Sequence, residues 1–284
     1  MTKIAFLPHR ASIKVSGPDW AKFLKGLCTA HIETLDAEVQ QGRFARLHYG
    51  AFLRPQGKMI GDVLLHAAAA DDIRLDVPLS VRDELLAKLN MYKLRAQVTI
   101  EALDTPAFVA FGGVPEGFLR DPRSDVVGSN FAMSYSPQQA TADIWKWIAF
   151  RMALGLSDPG YDFDADELYA IDANLDLLDA IDFHKGCYVG QELTSRMKRR
   201  GQIKNRILPF HYENDAPEMG AEILNDERRA GEVLLAGHGI GLGLMRLDRL
   251  AEALSFGMAP AKLAIPQWLA PYATMSPATT KDAL

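Results

Sequence analysis

After residue 205 the chain changes texture. RILPFHY, AEIL, GEVLLAGH and GLGLMRL are short apolar runs, each broken off by glycine or charge. Runs of this length suit strands and are too short for stable helices. A string of them forms a small β-barrel or sandwich with its own core, because closure removes the open edges of short strands. The expected division is therefore residues 1–204, a barrel over 205–262, and a loosely held tail over 263–284 that is rich in Pro, Ala, Ser and Thr.

The region before the barrel mixes both periodicities. Trp20, Phe23, Leu24 and Leu27 recur at helical spacing, and Pro18 suits a first turn, so a helix is expected over 18–27. Residues 43–77 are strand-rich, with RPQGK at 54–58 as a hairpin turn and IRLDV as a further strand. Ser80 and Asp83 make a capping-box pattern ahead of a helix over 81–90, and AQVTIEAL returns to alternation. Asp143 caps IWKWIAFRMAL and Gly155 ends it. Residues 157–180 are rich in Asp and are expected as loops and short helices. The stripe Asp176, Asp179, Asp182 fits a solvated helix face. The fold class is α+β.

Cysteines occur only at 28 and 187 among 284 residues, which excludes a disulfide framework and fits a reducing cytoplasm. Two thiols also cannot complete an iron–sulfur cluster within one chain; other ligands, another subunit or a small thiol must supply the rest. MTKIAFLPHRASIKVSG has no long apolar core behind a basic start, which argues against a secretory signal, and the longest apolar stretch is far short of a membrane span. The formal charge of −5 argues against nucleic acid as the general partner.

The most informative stretch is HKGCYVGQELTSR, residues 184–196. Cations and free backbone N–H groups favour a thiolate, and Lys185 lies two residues before Cys187. Gly186 and Gly190 permit tight turns, and GQELTSRMK reads as a helix whose positive end faces the sulfur. Gln191 and Glu192 then offer hydrogen bonds to a polar ligand. The competing reading makes Cys187 a small buried hydrophobe. His184 and Cys187 have no accompanying pair, so no zinc site is expected. RMKRRGQIKNR, residues 196–206, carries six cations and no acid: a solvated strip, or an anion site for phosphate, RNA or a carboxylate tail. No aromatic residue interrupts it, as single-strand stacking would want.

KGCYVGQE resembles the signature of the YgfZ-type folate-binding proteins, relatives of the glycine-cleavage T-protein, an aminomethyltransferase. FLKGLCTAHI, RPQGKMIGDVLLH, MYKLRAQV, LRDPRSDVVG, ANLDLLDAIDFHKGCYVGQELTSRMKRRG and the glycine-rich 231–247 region resemble further family segments and together span most of the chain. The resemblance implies β-rich sub-domains with helices around a central folate site, plus a C-terminal β-barrel. It implies tetrahydrofolate or a one-carbon derivative as ligand, and a role in iron–sulfur cluster assembly or repair with client or assembly proteins as partners. Cys187 becomes the functional thiol, kept anionic by Lys185. Gln191, Glu192 and Arg196 shape its site. Asp62 is placed either near the reactive edge of the folate or as an ordinary strand-end residue. Arg95 suits a folate carboxylate because its fork matches that geometry. Tyr188 either stacks on the pterin or packs.

Departures from the T-protein matter. Its glutamate in Arg-x-Glu-Ala-Gly is matched here by Ala153, which offers no acceptor, and its hairpin aspartate pair by Gly61-Asp62. Asp172 and Asn130 replace a glutamate and an arginine. Ala153 and Gly61 argue against aminomethyl transfer, so no defined turnover is expected. Two alternatives remain: a folate-dependent one-carbon transferase, and an RNA-binding module using the 196–206 strip, against which the net acidity stands.

Overall fold

In a computed structural model, the structure describes residues 1–44, 46–201, 203–213, 215–257 and 259–273, and of Arg200 the backbone alone. The chain divides into two compact units, residues 1–147 with 158–201, and residues 148–157 with 202–284.

The first unit contains two antiparallel sheets. Its elements in chain order are β1 (Lys3–Phe6), β2 (Arg10–Ser16), α1 (Trp20–Lys25), α2 (Ile32–Gln40), β3 (His48–Leu53), β4 (Met59–Ala69), β5 (Asp72–Pro78), α3 (Arg82–Lys93), β6 (Thr99–Leu103), β7 (Phe108–Phe111), β8 (Leu119–Arg120), α4 (Arg123–Val127) and β9 (Phe131–Ser134). The larger sheet has the order β3-β4-β5-β2-β6, the smaller β1-β7-β9-β8. α5 (Ile144–Ala153) and α6 (Gln191–Arg200) follow.

Alternation explains the larger sheet. Ile13 and Val15 on β2, Ile60, Val63, Leu65 and Ala67 on β4, and Ile73, Leu75 and Val77 on β5 form one core with Trp20, Leu24, Leu35 and Leu85 of α1, α2 and α3. Burying a side chain of this size is worth about 1.5–3 kcal/mol. This cluster therefore contributes substantially to the stability of the unit. The residues that alternate with these, Ser12, Asp62, His66 and Asp76, belong to the other face.

The second unit holds a closed barrel of β10 (Asn205–Tyr212), β11 (Glu222–Asn225), β12 (Arg228–Gly237), β13 (Ile240–Arg246), β14 (Ala253–Phe256) and β15 (Ala259–Leu263). Strand order around it is β10-β13-β12-β11-β14-β15. The GLGL run on β13 is glycine-rich for a packing reason: a methyl at Gly241 would lie 2.4 Å from the Phe210 ring.

Several expectations shift. Residues 148–157 group with the barrel unit. The stretch after 263 is not loose as far as 273: Leu269 is fully buried and Trp268 Nε1 donates to Leu154 O at 2.8 Å. The rest of the expected tail lies outside the described residues. Helix α3 starts at Arg82 without a side-chain cap, because Ser80 is taken into a 3₁₀ turn at Leu79–Val81. Asp143 does cap α5, accepting from Trp145 N at 2.8 Å. The aspartates 176, 179 and 182 share no helix, since turns run through that segment. Among the described residues no helix is long and apolar enough to cross a membrane.

Candidate functional site

Residues 180–190 form an irregular segment fastened to the turn between α1 and α2. Asp182 N donates to Thr29 O at 2.9 Å and Val189 N to Gly26 O at 3.1 Å. Thr29 Oγ1 donates to Ala180 O at 2.7 Å and accepts from Ala51 N at 2.8 Å. The Asp182 carboxylate accepts from His184 N and Lys185 N at 2.9 and 3.0 Å, which turns the chain sharply ahead of the cysteine. Gly190 then sits at φ +85, where a methyl would meet Arg54 O at 2.7 Å, and α6 begins. The glycine is required both by its left-handed backbone and by that contact.

This scaffold leaves Cys187 exposed, whereas Cys28 is fully buried. Cys187 opens into a cleft of about 860 Å³ lined with Phe183, His184 and Tyr188 and, on α6, with Gln191, Glu192, Ser195, Lys198 and Arg199. That volume is ligand-sized and far exceeds what one thiol needs. Tyr188 is 6% exposed, its hydroxyl has no hydrogen-bond partner among the described residues, and burial pushes it up to about 12. Among the described residues no group of three or more His, Cys, Asp and Glu side chains is placed to hold a metal ion.

Lys185 corrects one expectation. Its side chain turns inward, 6% exposed, and Nζ donates to Cys28 O at 2.5 Å and Ala30 O at 2.8 Å. The ammonium lies 4.9 Å above the Tyr188 ring, and burial pushes it below the usual lysine range. Its bonds go to the 28–30 turn, not to the sulfur two residues away.

Asp62 lies in a second polar cluster, which sequence reasoning missed. It is 1% exposed; Oδ1 accepts from Arg10 Nη1 at 2.7 Å and Oδ2 from Tyr49 Oη at 3.2 Å. Arg10 also donates through Nε to Asp76 Oδ1 at 2.8 Å, through Nη1 to Asp158 Oδ1 at 3.2 Å and through Nη2 to Asp76 O at 3.0 Å. Tyr135 Oη donates to Asp76 Oδ2 at 2.9 Å, and His9 Nε2 lies 2.9 Å from Asp158 Oδ2. Asp121 and Arg123, from the Asp-Pro-Arg stretch, form a two-bond pair beneath the Tyr49 ring. Burial pushes the Asp62 carboxyl up, against the pull of Arg10. Three carboxylates thus share one guanidinium. The only sequence signal for it is that Asp62 and Asp76 fall on one alternating face of the sheet.

The residues expected around a folate are therefore divided. Tyr188, Gln191 and Glu192 line the Cys187 cleft. Asp62 has both oxygens occupied inside the Arg10 cluster. Arg95 is exposed just beyond α3, and Arg196 is exposed on α6 without lining the cleft. Ala153, in the place of the T-protein glutamate, is exposed. A pterin held through Asp62 would have to share a carboxylate whose two oxygens already accept from Arg10 and Tyr49. The 196–206 strip is not one solvated face either: Arg206 is 2% exposed and its guanidinium sits 5.6 Å from the Tyr272 ring centroid.

Comparison with known proteins points to iron–sulfur cluster assembly factors. Residues 204–271 match the family described as CAF17, C-terminal beta-barrel domain. The protein named iron-sulfur cluster assembly factor IBA57 homolog, mitochondrial, from Mycosarcoma maydis is 30% identical over 230 residues. That alignment takes in 74% of this chain and 57% of the fungal protein. The chain is a sequence relative of the IBA57 iron–sulfur cluster assembly factors. The Mus musculus IBA57 is 27% identical over 92% of this chain and 84% of its own, and the Homo sapiens protein 27% over 87% and 78%. All three names carry the word mitochondrial, so the cytoplasmic placement expected from cysteine usage is not what these relatives record. The glycine cleavage system aminomethyltransferase T from Bartonella henselae has the same fold, with a TM-score of 0.70, 14% identity, and coverage of 94% of this chain and 86% of that one.

Proposed function

We propose that this protein supports iron–sulfur cluster assembly or repair, and that Cys187 is the group that holds the cargo. The observation that carries this reading is the contrast between the two thiols: Cys187 is exposed in a ligand-sized cleft, while Cys28 is sealed in the core. A thiolate is a natural ligand for iron, yet clusters take four such ligands, so the remainder come from a partner protein or a small thiol. The names of the IBA57 relatives support the same class of role. A reducing compartment, the cytoplasm included, is part of the proposal, since an exposed thiol survives there.

The test is Cys187→Ser in cells that lack the native protein. Client iron–sulfur enzymes are expected to lose activity, while Cys28→Ser protein that folds retains it. Full client activity with Cys187→Ser ends the reading.

A second reading is favoured by the cleft volume. A tetrahydrofolate, were it bound here, would sit in the Cys187 cleft with Tyr188, Gln191 and Glu192. Bound there, the cofactor would supply a one-carbon carrier or a redox-active ring. Calorimetric titration of wild type and Cys187→Ala with tetrahydrofolate tests it; micromolar binding retained in the variant supports a folate scaffold beside the thiol, and no binding in wild type removes it.

A further inference from the structure

We propose that Lys185 is a positioning residue: it latches the Cys187 loop onto the 26–30 turn, and so sets where the thiol stands in the cleft. The inference rests on Cys187 being the working group there. The two residues are neighbours in sequence but face opposite ways, Lys185 buried and Cys187 exposed.

The latch is read from where the carbonyls of the turn go. Gly26 O accepts from Val189 N, and Thr29 O from Asp182 N. Cys28 O and Ala30 O, which flank Thr29, both accept from Lys185 Nζ. The loop is thus fastened by backbone at each end and by one side chain in the middle, with Cys187 left outside. Lysine fits the place because a single ammonium has three donors, enough to take two carbonyls. Burying an ammonium is costly unless it is hydrogen-bonded, so those two bonds are what let it stay. Its third interaction is the Tyr188 ring, which packs without a hydrogen bond from its own hydroxyl. The turn residues belong to FLKGLCTAHI, so the latch joins two sequence motifs about 155 residues apart.

Three measurements on the full-length protein test it. First, the native wild type is acetylated with an activated acetate ester and each lysine followed by mass spectrometry. Lys185 is expected to react at least about tenfold more slowly than exposed Lys3 and Lys198, because it must be released first. Second, hydrogen exchange over residues 183–190 is expected to rise by about tenfold or more in Lys185→Met, with partial recovery in Lys185→Arg. Third, the rate of iodoacetamide alkylation of Cys187 is followed across roughly pH 6 to 10. Its midpoint in Lys185→Met is expected to stay within about 0.3 unit of wild type, because the lysine does not act through charge on the sulfur.

A midpoint higher by about one unit, with exchange unchanged, overturns the latch in favour of direct electrostatic activation. So does Lys185 acetylation as fast as that of Lys198. If Lys185→Met does not fold, the acetylation of the native protein decides alone. Failure of the functional reading is separate: Cys187→Ser cells with fully active clients would sink the cargo role and leave the exchange and acetylation results standing.

Discussion

Around Arg10, four hydrogen bonds tie the guanidinium to Asp62, Asp76 and Asp158, and the side chains involved are buried or nearly so. Around Cys187, the thiol, His184, Glu192, Lys198 and Arg199 are exposed along an open cleft. Both regions hold acids, cations and aromatic rings. The first uses most of them on one another in the interior, and the second leaves its thiol and most of its charges at the surface. A buried charge that has lost its partner is very costly, whereas an exposed one is nearly indifferent. The T-protein-like fold therefore buries one polar cluster in its interior and exposes another at the loop before α6.

The largest effect should come from taking the one cation out of the closed cluster. Arg10→Met leaves three carboxylates without their shared partner and is expected to cost about 3–5 kcal/mol in denaturant unfolding at neutral pH. The deficit should shrink as pH falls, because the uncompensated carboxyls take up protons more readily in the folded state. Cys187→Ser, by contrast, should change stability by less than about 0.5 kcal/mol while removing function. If the two substitutions have similar effects on unfolding, the contrast between the regions is wrong.

Acid titration probes the edge of the same cluster. His66 stacks on Tyr135, 4.9 Å between centroids, and burial lowers it to about 4. An unfolded histidine takes up its proton near pH 6.5, so this residue stabilises the fold fully above that pH and the contribution is lost as pH falls toward 4. The loss amounts to roughly 3 kcal/mol. His66→Phe should keep the stacking and flatten that limb of the stability curve. Asp62 works in the opposite sense. Its folded carboxyl is raised, so its contribution grows as pH falls, and Asp62→Asn should steepen the acid limb. At neutral pH that variant should cost only about 1 kcal/mol, since Arg10 keeps two other acceptors.

These contrasts also mark what the sequence could convey. The barrel was legible because its strands are local runs and its glycines punctuate them. The Cys187 loop and α6 were legible because glycine, helix start and polar residues lie within thirteen positions. Arg10 was not, because it reads as one charge on an alternating strand, and its partners lie 52, 66 and 148 residues away. Lys185 misled for the converse reason. Two residues apart in sequence suggests two residues apart in space, but a loop turned by the Asp182 carboxylate sends adjacent side chains to opposite sides. The residues near 270 look like a tail by composition, yet a buried Leu269 and the Trp268 bond to Leu154 O seat them.

The smallest effect on stability separates the two readings of the cleft. Glu192 is exposed in the first turn of α6, where a negative charge complements the helix dipole, so Glu192→Gln should cost only about 0.5 kcal/mol. Its effect on ligands depends on what the cleft takes. A carboxylate there accepts from two donors at once, as a pterin edge requires, and an amide offers one acceptor. If folate occupies the cleft, Glu192→Gln should weaken tetrahydrofolate binding about tenfold by calorimetry, with client enzymes impaired in step. If the cleft instead receives the cargo and a partner's remaining ligands, the same variant should leave client activity close to wild type, because Cys187 and its latch are untouched. A variant that barely moves the unfolding curve is the cleaner probe, since any change in binding or client activity then belongs to the cleft and not to the fold.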